Sequence, residues 1–407
     1  MKPTRRHDID ALRVLLFCSL ILYHIGMLYV ADWSWHLKSS YRSEWLQMPM
    51  LLINRWRMPL LFVISGIALR FLQRNVAGWS LAFNRTRRIF VPLLFGMAVI
   101  VPIQPYVEGV LRHTVEPGFS AFLVHYFTFQ PWPKDAFTGS KPGITWNHLW
   151  YLAYVWVYFL IVIGLTPLLR SRPGVFIREK VTGLRGGWLI LLPALPKTIA
   201  LVTLGNTYPA TGALVDDWYQ HALFFPYFLF GWWIATDTGL WTELQALRRR
   251  ALGLAIVNAI AYLLILQVLL TDDSPAWAVV ATRLLSGLNT WLWILTVLGW
   301  SATLLDRPFR WLPYATEAVL PWYVLHQSLI VAAAYVLVPM KIGAFLEPLV
   351  VIAATVLGSA LLHEFVIRRS RTMRLLFGMK LLASTRRMPR TATQTATSMT
   401  RERQSSS

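Results

Sequence analysis

The chain has 407 residues, 56% of them hydrophobic and 14% charged, with a mean hydropathy of +0.49. So much apolar content with so little charge excludes an ordinary soluble domain. The single cysteine, Cys18, excludes an intramolecular disulfide framework and a cysteine-cluster metal site.

About 20 apolar residues are needed to cross the hydrocarbon of a bilayer. Ten stretches qualify: 13–31, 49–70, 88–106, 148–169, 187–204, 219–236, 252–270, 277–303, 316–338 and 348–367. The fifth is the weakest, because Pro193, Pro196 and Lys197 interrupt it. No small-residue cleavage site follows the first stretch, which reads as a retained helix. The fold class expected is all-α, a polytopic integral membrane protein of about ten transmembrane helices, over residues 1–380. The segment 381–407, "LLASTRRMPRTATQTATSMTRERQSSS", is basic and Ser/Thr-rich and reads as a disordered tail.

The net charge of +20 follows the same plan. Of the 39 Lys and Arg, 28 fall on the side that holds both termini, 6 on the other, and 5 in or beside the spans. That bias places both termini in the cytoplasm. The basic balance therefore encodes topology, and nucleic acid is not an expected partner. The acidic pairs Asp216–Asp217 and Asp272–Asp273 fall outside, as does the long Pro/Gly-containing loop 107–147.

The first span, "DALRVLLFCSLILYHIG", carries Arg13 and, eleven residues later, His24. Eleven helical steps bring the two to within about 20° of one face and roughly 16 Å apart. Asp10 can pair with Arg13 one turn away. Neutral imidazole is a general base near physiological pH, so His24 is a candidate catalytic residue. The plainer reading is a packing histidine bonded to a neighbouring helix. In "RWRMPLLFVISGIALR", Arg57 is a second intramembrane cation, and Ser65–Gly66 is a small pair that suits close helix packing. In "RTRRIFVP", Arg85 and Arg88 lie one turn apart at the start of the third span, suiting phosphate recognition or simple positive-inside anchoring. His148 in "TWNHLWYL", His326 in "PWYVLHQSLI" and the pair His363–Glu364 in "LLHEFVIRR" complete the candidates. His36, His113, His125 and His221 belong to the outer side without an assignable role. No zinc motif is present.

Taken together, Arg-x10-His in span one, F-x-x-SG in span two and R-x-x-R before Pro92 resemble the acyltransferase 3 family. The segments "WSWHLKSS", "RMPLLFVISG", "NHLWYL" and "YVLHQSL" resemble its glucan-biosynthesis branch. The likeness covers most of residues 8–369. It departs at "NHLWYL", where many members carry a Ser- and Glu-rich segment, so no catalytic Glu is carried over there.

The resemblance implies transfer of an acyl group from cytoplasmic acyl-CoA, as succinyl-CoA or acetyl-CoA, to a periplasmic glucan or other polysaccharide. It implies a bacterial inner membrane and other glucan-biosynthesis proteins as partners, with no metal cofactor. On these positions it implies a catalytic group of His24, Arg13 and His326. Arg85 and Arg88 would hold the CoA phosphates, and Arg57, His148 and Ser65 would contact substrate. Arg57 would read the free carboxylate of succinate. Ten spans with buried Arg and His also fit a non-enzymatic exporter of polysaccharide or lipid-linked sugar, or a proton-coupled sensor. An exporter predicts inverted repeats or paired broken helices, and neither is legible.

Overall fold

The computed structural model describes residues 6–140, 143–268 and 274–381. The expected tail, the pair Asp272–Asp273, Lys141, Lys2 and Arg5 lie outside the described residues. Within them every element is helical, apart from one isolated β-bridge between Val30 and Ser43. The helices are α1 (His7–Gly26), α2 (Gln47–Leu72), α3 (Gly78–Phe95), α4 (Ile103–Leu111), α5 (Phe119–Phe127), α6 (Trp150–Leu169), α7 (Arg172–Thr182) and α8 (Gly186–Leu191). They continue as α9 (Leu195–Thr203), α10 (Trp218–Ile234), α11 (Thr238–Val268), α12 (Ala276–Leu304), α13 (Leu312–Leu337), α14 (Leu346–Leu361) and α15 (Arg371–Leu376).

Among the described residues, nine helical segments are long and apolar enough to cross a membrane. They account for nine of the ten expected stretches. The tenth, 219–236, is α10, which has 17 residues and is about 25 Å long. The interrupted fifth stretch is a broken rod: α8, a 3-10 turn over Leu192–Ala194, then α9, with Pro193 and Pro196 each in a first turn where no N–H is needed. Its lysine is buried, and Lys197 Nζ donates to Thr290 Oγ1 at 2.5 Å.

Lipid tails are as apolar as leucine side chains, so helices here associate by close packing rather than by the hydrophobic effect. The α2–α10 crossing uses this directly. A Cβ on Gly66 would overlap the Phe228 carbonyl, and one on Gly231 would overlap the Val63 carbonyl. Gly66 of the Ser-Gly pair is therefore a packing residue.

The third span bends in a way that serves the site. Between α3 and α4, residues Gly96–Ile100 form a π turn closed by Val101 N–H to Gly96 O at 2.8 Å. Gln104 N–H then bonds Val101 O, also at 2.8 Å, and Ile100 O receives the Ser328 hydroxyl at 2.7 Å. Wide turns of this kind often mark functional positions.

The two ends of the bundle differ. The segments expected outside meet at one end, where Lys38 Nζ caps α1 through Met27 O and Val30 O, both at 2.7 Å, and Tyr41 OH reaches Lys341 O at 2.9 Å. At the other end, His7 N–H meets Asp306 at 3.2 Å and Arg374 pairs with Glu317 at 3.1 Å.

The α2–α10 contact leaves no room for a methyl group. Gly66→Ala and Gly231→Ala should each lower the melting temperature and monodisperse yield of detergent-purified protein, by about 1–3 kcal/mol of overpacking. Gly253→Ala, where a Cβ meets nothing within 4 Å, should change neither. Size-exclusion profiles and thermal melts of the three variants check this.

Candidate active site

A cavity of about 1070 Å³ runs between α1, α2, α3, α6 and α13. One end is basic, lined by Arg6, Arg13, Arg85, Arg88, Arg374 and Lys380. The other is lined by Tyr23, His24, Arg57, His148, Tyr151 and Tyr323. The sequence-expected residues Arg13, His24, Arg57, Ser65, Arg85, Arg88 and His148 all face this one space. His326 does not line it; it is fully buried and touches His24 instead. His363 and Glu364 stand elsewhere. His363 is buried against Tyr314, with ring centroids 5.7 Å apart, and Glu364 pairs with Arg368 at 3.0 Å.

The two histidines come from helices that are far apart in sequence, α1 and α13. Their rings stack with centroids 5.1 Å apart, and His24 Nδ1 lies 2.8 Å from His326 Nε2. The proton positions follow from the partners. His326 Nδ1 lies 2.7 Å from Tyr323 O, a carbonyl that can only accept, so this nitrogen carries the hydrogen. In the neutral ring His326 Nε2 is then an acceptor, and His24 Nδ1–H donates to it. What remains is His24 Nε2, a bare lone pair with no hydrogen-bond partner among the described residues, on a ring that lines the cavity. This is the arrangement of a general base steadied by a second imidazole.

His148 differs. Its Nδ1 faces Gln104 Nε2 at 3.1 Å and its Nε2 faces Val324 O at 3.2 Å, so both ring nitrogens are engaged. It can offer substrate a ring surface. Ser65 Oγ meets Tyr151 OH at 2.6 Å, a hydroxyl pair on the cavity wall.

The cations are held unevenly. Arg57 is 3% exposed, its guanidinium lies 3.8 Å over the Tyr23 ring, and its Nε and Nη1 have no hydrogen-bond partner. Arg13 contacts Asp10 at 3.4 Å, as the one-turn spacing predicts. Arg88 Nε donates to Gly378 O at 3.2 Å, whereas Arg85 Nε has no partner. Among the described residues, no group of three or more His, Cys, Asp or Glu is placed to hold a metal.

The family model described as an acyltransferase domain matches residues 6–364. The chain belongs to the acyltransferase 3 family. The matched domain is described as an acyltransferase domain, and nine helical segments among the described residues are long and apolar enough to cross a membrane. Curated relatives include proteins named glucans biosynthesis protein C from Salmonella paratyphi B, Salmonella heidelberg and Salmonella enteritidis PT4. Each is 25% identical over 173 residues, covering 41% of this chain and 41% of the relative. The chain thus matches less than half the length of these relatives. No solved structure matches it.

Sequence reading missed Tyr23, Tyr151 and Tyr323 as cavity residues. An aromatic in a span looks like core until its neighbours are known. The signal available was position alone: Tyr23 adjoins His24, and Tyr323 lies one turn before His326.

Removing the base should remove the reaction. His24→Ala should abolish acyl transfer while expression, membrane insertion and size-exclusion behaviour stay as in the wild type. Near-normal transfer by the purified variant would make His24 a packing residue.

Proposed function

We propose that this enzyme moves an acyl group, succinyl in preference to acetyl, from cytoplasmic acyl-CoA to a glucan or other polysaccharide on the far side of a bacterial inner membrane. Both termini face the cytoplasm in this reading, in keeping with the bias of 28 against 6 basic residues. The observation that carries the proposal is one cavity with a basic mouth at one end and, at the other, a His24 Nε2 that has no hydrogen-bond partner among the described residues.

Arg85, Arg88 and Arg13 attract the phosphates of CoA at the mouth, with guanidinium geometry suited to bidentate contact. The pantetheine arm extends along the cavity and presents the thioester near His24. Its Nε2 takes the proton of the acceptor hydroxyl as the oxygen attacks the thioester carbon. The Nδ1–H bond to His326 stabilises the imidazolium that forms. The tetrahedral intermediate collapses, the C–S bond breaks, and the proton passes from His24 to the departing sulfur. The products are an ester and a free thiol. Ser65 and Tyr151 orient the acyl carbonyl. The names of the glucan-biosynthesis relatives support a glucan as acceptor.

The deciding experiment is transfer of labelled acyl groups from succinyl-CoA and acetyl-CoA to glucan by purified protein. No transfer from either donor would return the chain to the exporter reading.

In the Arg85→Ala, Arg88→Ala double variant, affinity for CoA should fall while acceptor dependence stays unchanged. The wild-type affinity should weaken with salt, as contacts between surface charges do. Calorimetry at two ionic strengths checks this. Equal affinities would leave the arginines as topology signals.

Arg57→Leu tests the choice of donor. A charge-assisted hydrogen bond to a carboxylate contributes about 1.5–3 kcal/mol, so the succinyl-to-acetyl rate ratio should fall by about 10- to 150-fold. If Arg57 only ties α2 to Tyr23, both rates fall together, measured per folded monomer on one sample.

A further inference from the structure

A continuous chain of buried polar side chains lies behind the cavity. It begins at Glu108 in α4, which is fully buried. Its Oε1 accepts from Arg112 at 2.7 Å and from the Thr138 N–H and hydroxyl at 2.9 and 2.8 Å. Its Oε2 lies 2.5 Å from His36 Nδ1. The other His36 nitrogen, Nε2, lies 3.0 Å from Gln327 Nε2, which is also 3.1 Å from Gln104 Oε1. Gln104 Nε2 then reaches Ser328 Oγ at 2.7 Å and His148 Nδ1 at 3.1 Å. His148 Nε2 ends the chain on Val324 O at 3.2 Å.

Each link has a direction, and both ends agree on it: the Glu108 carboxylate sets it from one side, and the Val324 and Ile100 carbonyls, which can only accept, set it from the other. The Glu108 carboxylate only accepts, so His36 carries its hydrogen on Nδ1 and leaves Nε2 bare. A bare Nε2 requires the NH2 of Gln327. That orientation gives Gln104 Oε1 its donor and turns the Gln104 NH2 toward His148 Nδ1. His148 must then be protonated on Nε2, which donates to Val324 O. Reversing Gln327 would set two lone pairs against each other at His36 Nε2, and reversing Gln104 would do so at Ser328 Oγ, whose hydrogen goes to Ile100 O. The same stretch of α13 is pinned a second time, by Tyr323 OH to the His148 carbonyl at 2.5 Å. Tyr323 O is the acceptor that fixes the His326 tautomer.

We propose that Glu108 and His36 are positioning residues for acyl transfer. Their hydrogen bond, with His36 neutral, anchors the far end of the amide chain, and through His148 it holds the turn of α13 that keeps His326, and so His24, in place. The inference rests on reading His24 as the base. Both residues lie outside the cavity and touch no substrate. His36 belongs to the loop between α1 and α2, and Thr138 to the loop before α6. The outer loops therefore bear on the chemistry through hydrogen bonds. Glutamine amides cannot pass a proton along at each step, so the chain conveys orientation only.

Two variants of the full chain test this. Glu108→Gln is near-isosteric and can turn its NH2 toward His36 Nδ1, which moves the His36 hydrogen to Nε2 and sets it against the Gln327 NH2. Gln327→Leu cuts the chain while leaving the Glu108–His36 pair intact, and serves if the first variant folds poorly. Imidazole nitrogen NMR on 15N-histidine-labelled protein, assigned by the signal lost in His36→Gln, reads the tautomer of His36. The wild type and Gln327→Leu should show the Nδ1–H form and Glu108→Gln a mixture. In the transfer assay kcat should fall about 10- to 100-fold, as for a small misplacement of a reacting group. KM for succinyl-CoA should stay unchanged, because the donor's mouth is untouched. Combining the two substitutions should add nothing beyond the larger single loss. An unchanged His36 tautomer in Glu108→Gln, an unchanged kcat per folded monomer, or additive losses would each overturn the proposal. Absence of transfer by the wild type would overturn the base reading instead, and the His36 spectrum would still decide whether Glu108 sets that tautomer.

Discussion

The 2.8 Å contact between His24 and His326 is the constraint on which the site depends. Two neutral imidazoles can share a hydrogen bond in only one direction at a time. The backbone carbonyl of Tyr323 chooses that direction, because it cannot donate. The bond is shielded by Phe17, whose ring meets His326 edge-on at 5.8 Å and Tyr323 at 6.4 Å. With water excluded, the bond is electrostatically stronger than it would be in solvent, and an unpaired partner would cost correspondingly more. The packing of α1 on α13 thus does two things at once: it buries an apolar seam and leaves one nitrogen lone pair unspent.

The same economy explains the cations. An arginine buried among helices is expensive unless something answers its charge. Arg13 has Asp10, and Arg88 has a carbonyl. Arg57 has only the face of Tyr23, with two of its nitrogens unpartnered. A cation–π contact of this sort offsets only part of the desolvation cost. The remainder is available to an anionic group that enters the cavity, and the proposed preference for a succinyl donor rests on that.

Much of the fold was legible in the sequence, because a span needs only length and apolarity. The legible part of the site was whatever local spacing could place. Arg13 and His24 share a helix face, and Arg85 and Arg88 share a turn, so geometry followed from counting. The pairing of His24 with His326 was not legible, since 302 residues separate them and nothing local fixes the approach of α1 to α13. Glu108 read as the edge of a loop because the π turn at Gly96–Ile100 carries the helix on to Leu111, beyond the expected end at 106. His36 sat in a loop with no periodicity to interpret. The fifth stretch signalled its own break through Pro193 and Pro196, but the partner of Lys197, Thr290, lies 93 residues on, in α12, and could not be named.

Acyl transfer from a thioester to a hydroxyl consumes and releases no net proton. The proton taken from the acceptor leaves on the thiol, so the base needs no exit path to either side of the membrane. The site is built accordingly. Behind His24 stands a second imidazole whose far nitrogen ends on a backbone carbonyl, a dead end for proton movement. His148 is likewise closed at both nitrogens. A proton-coupled transporter or sensor would need the opposite, a chain of groups that can each give and take a proton between two aqueous phases. Behind His148 the polar chain runs to His36 through two glutamine amides, which hold direction without conducting. That pattern favours the proposed acyl transfer over a machine that couples to the proton gradient.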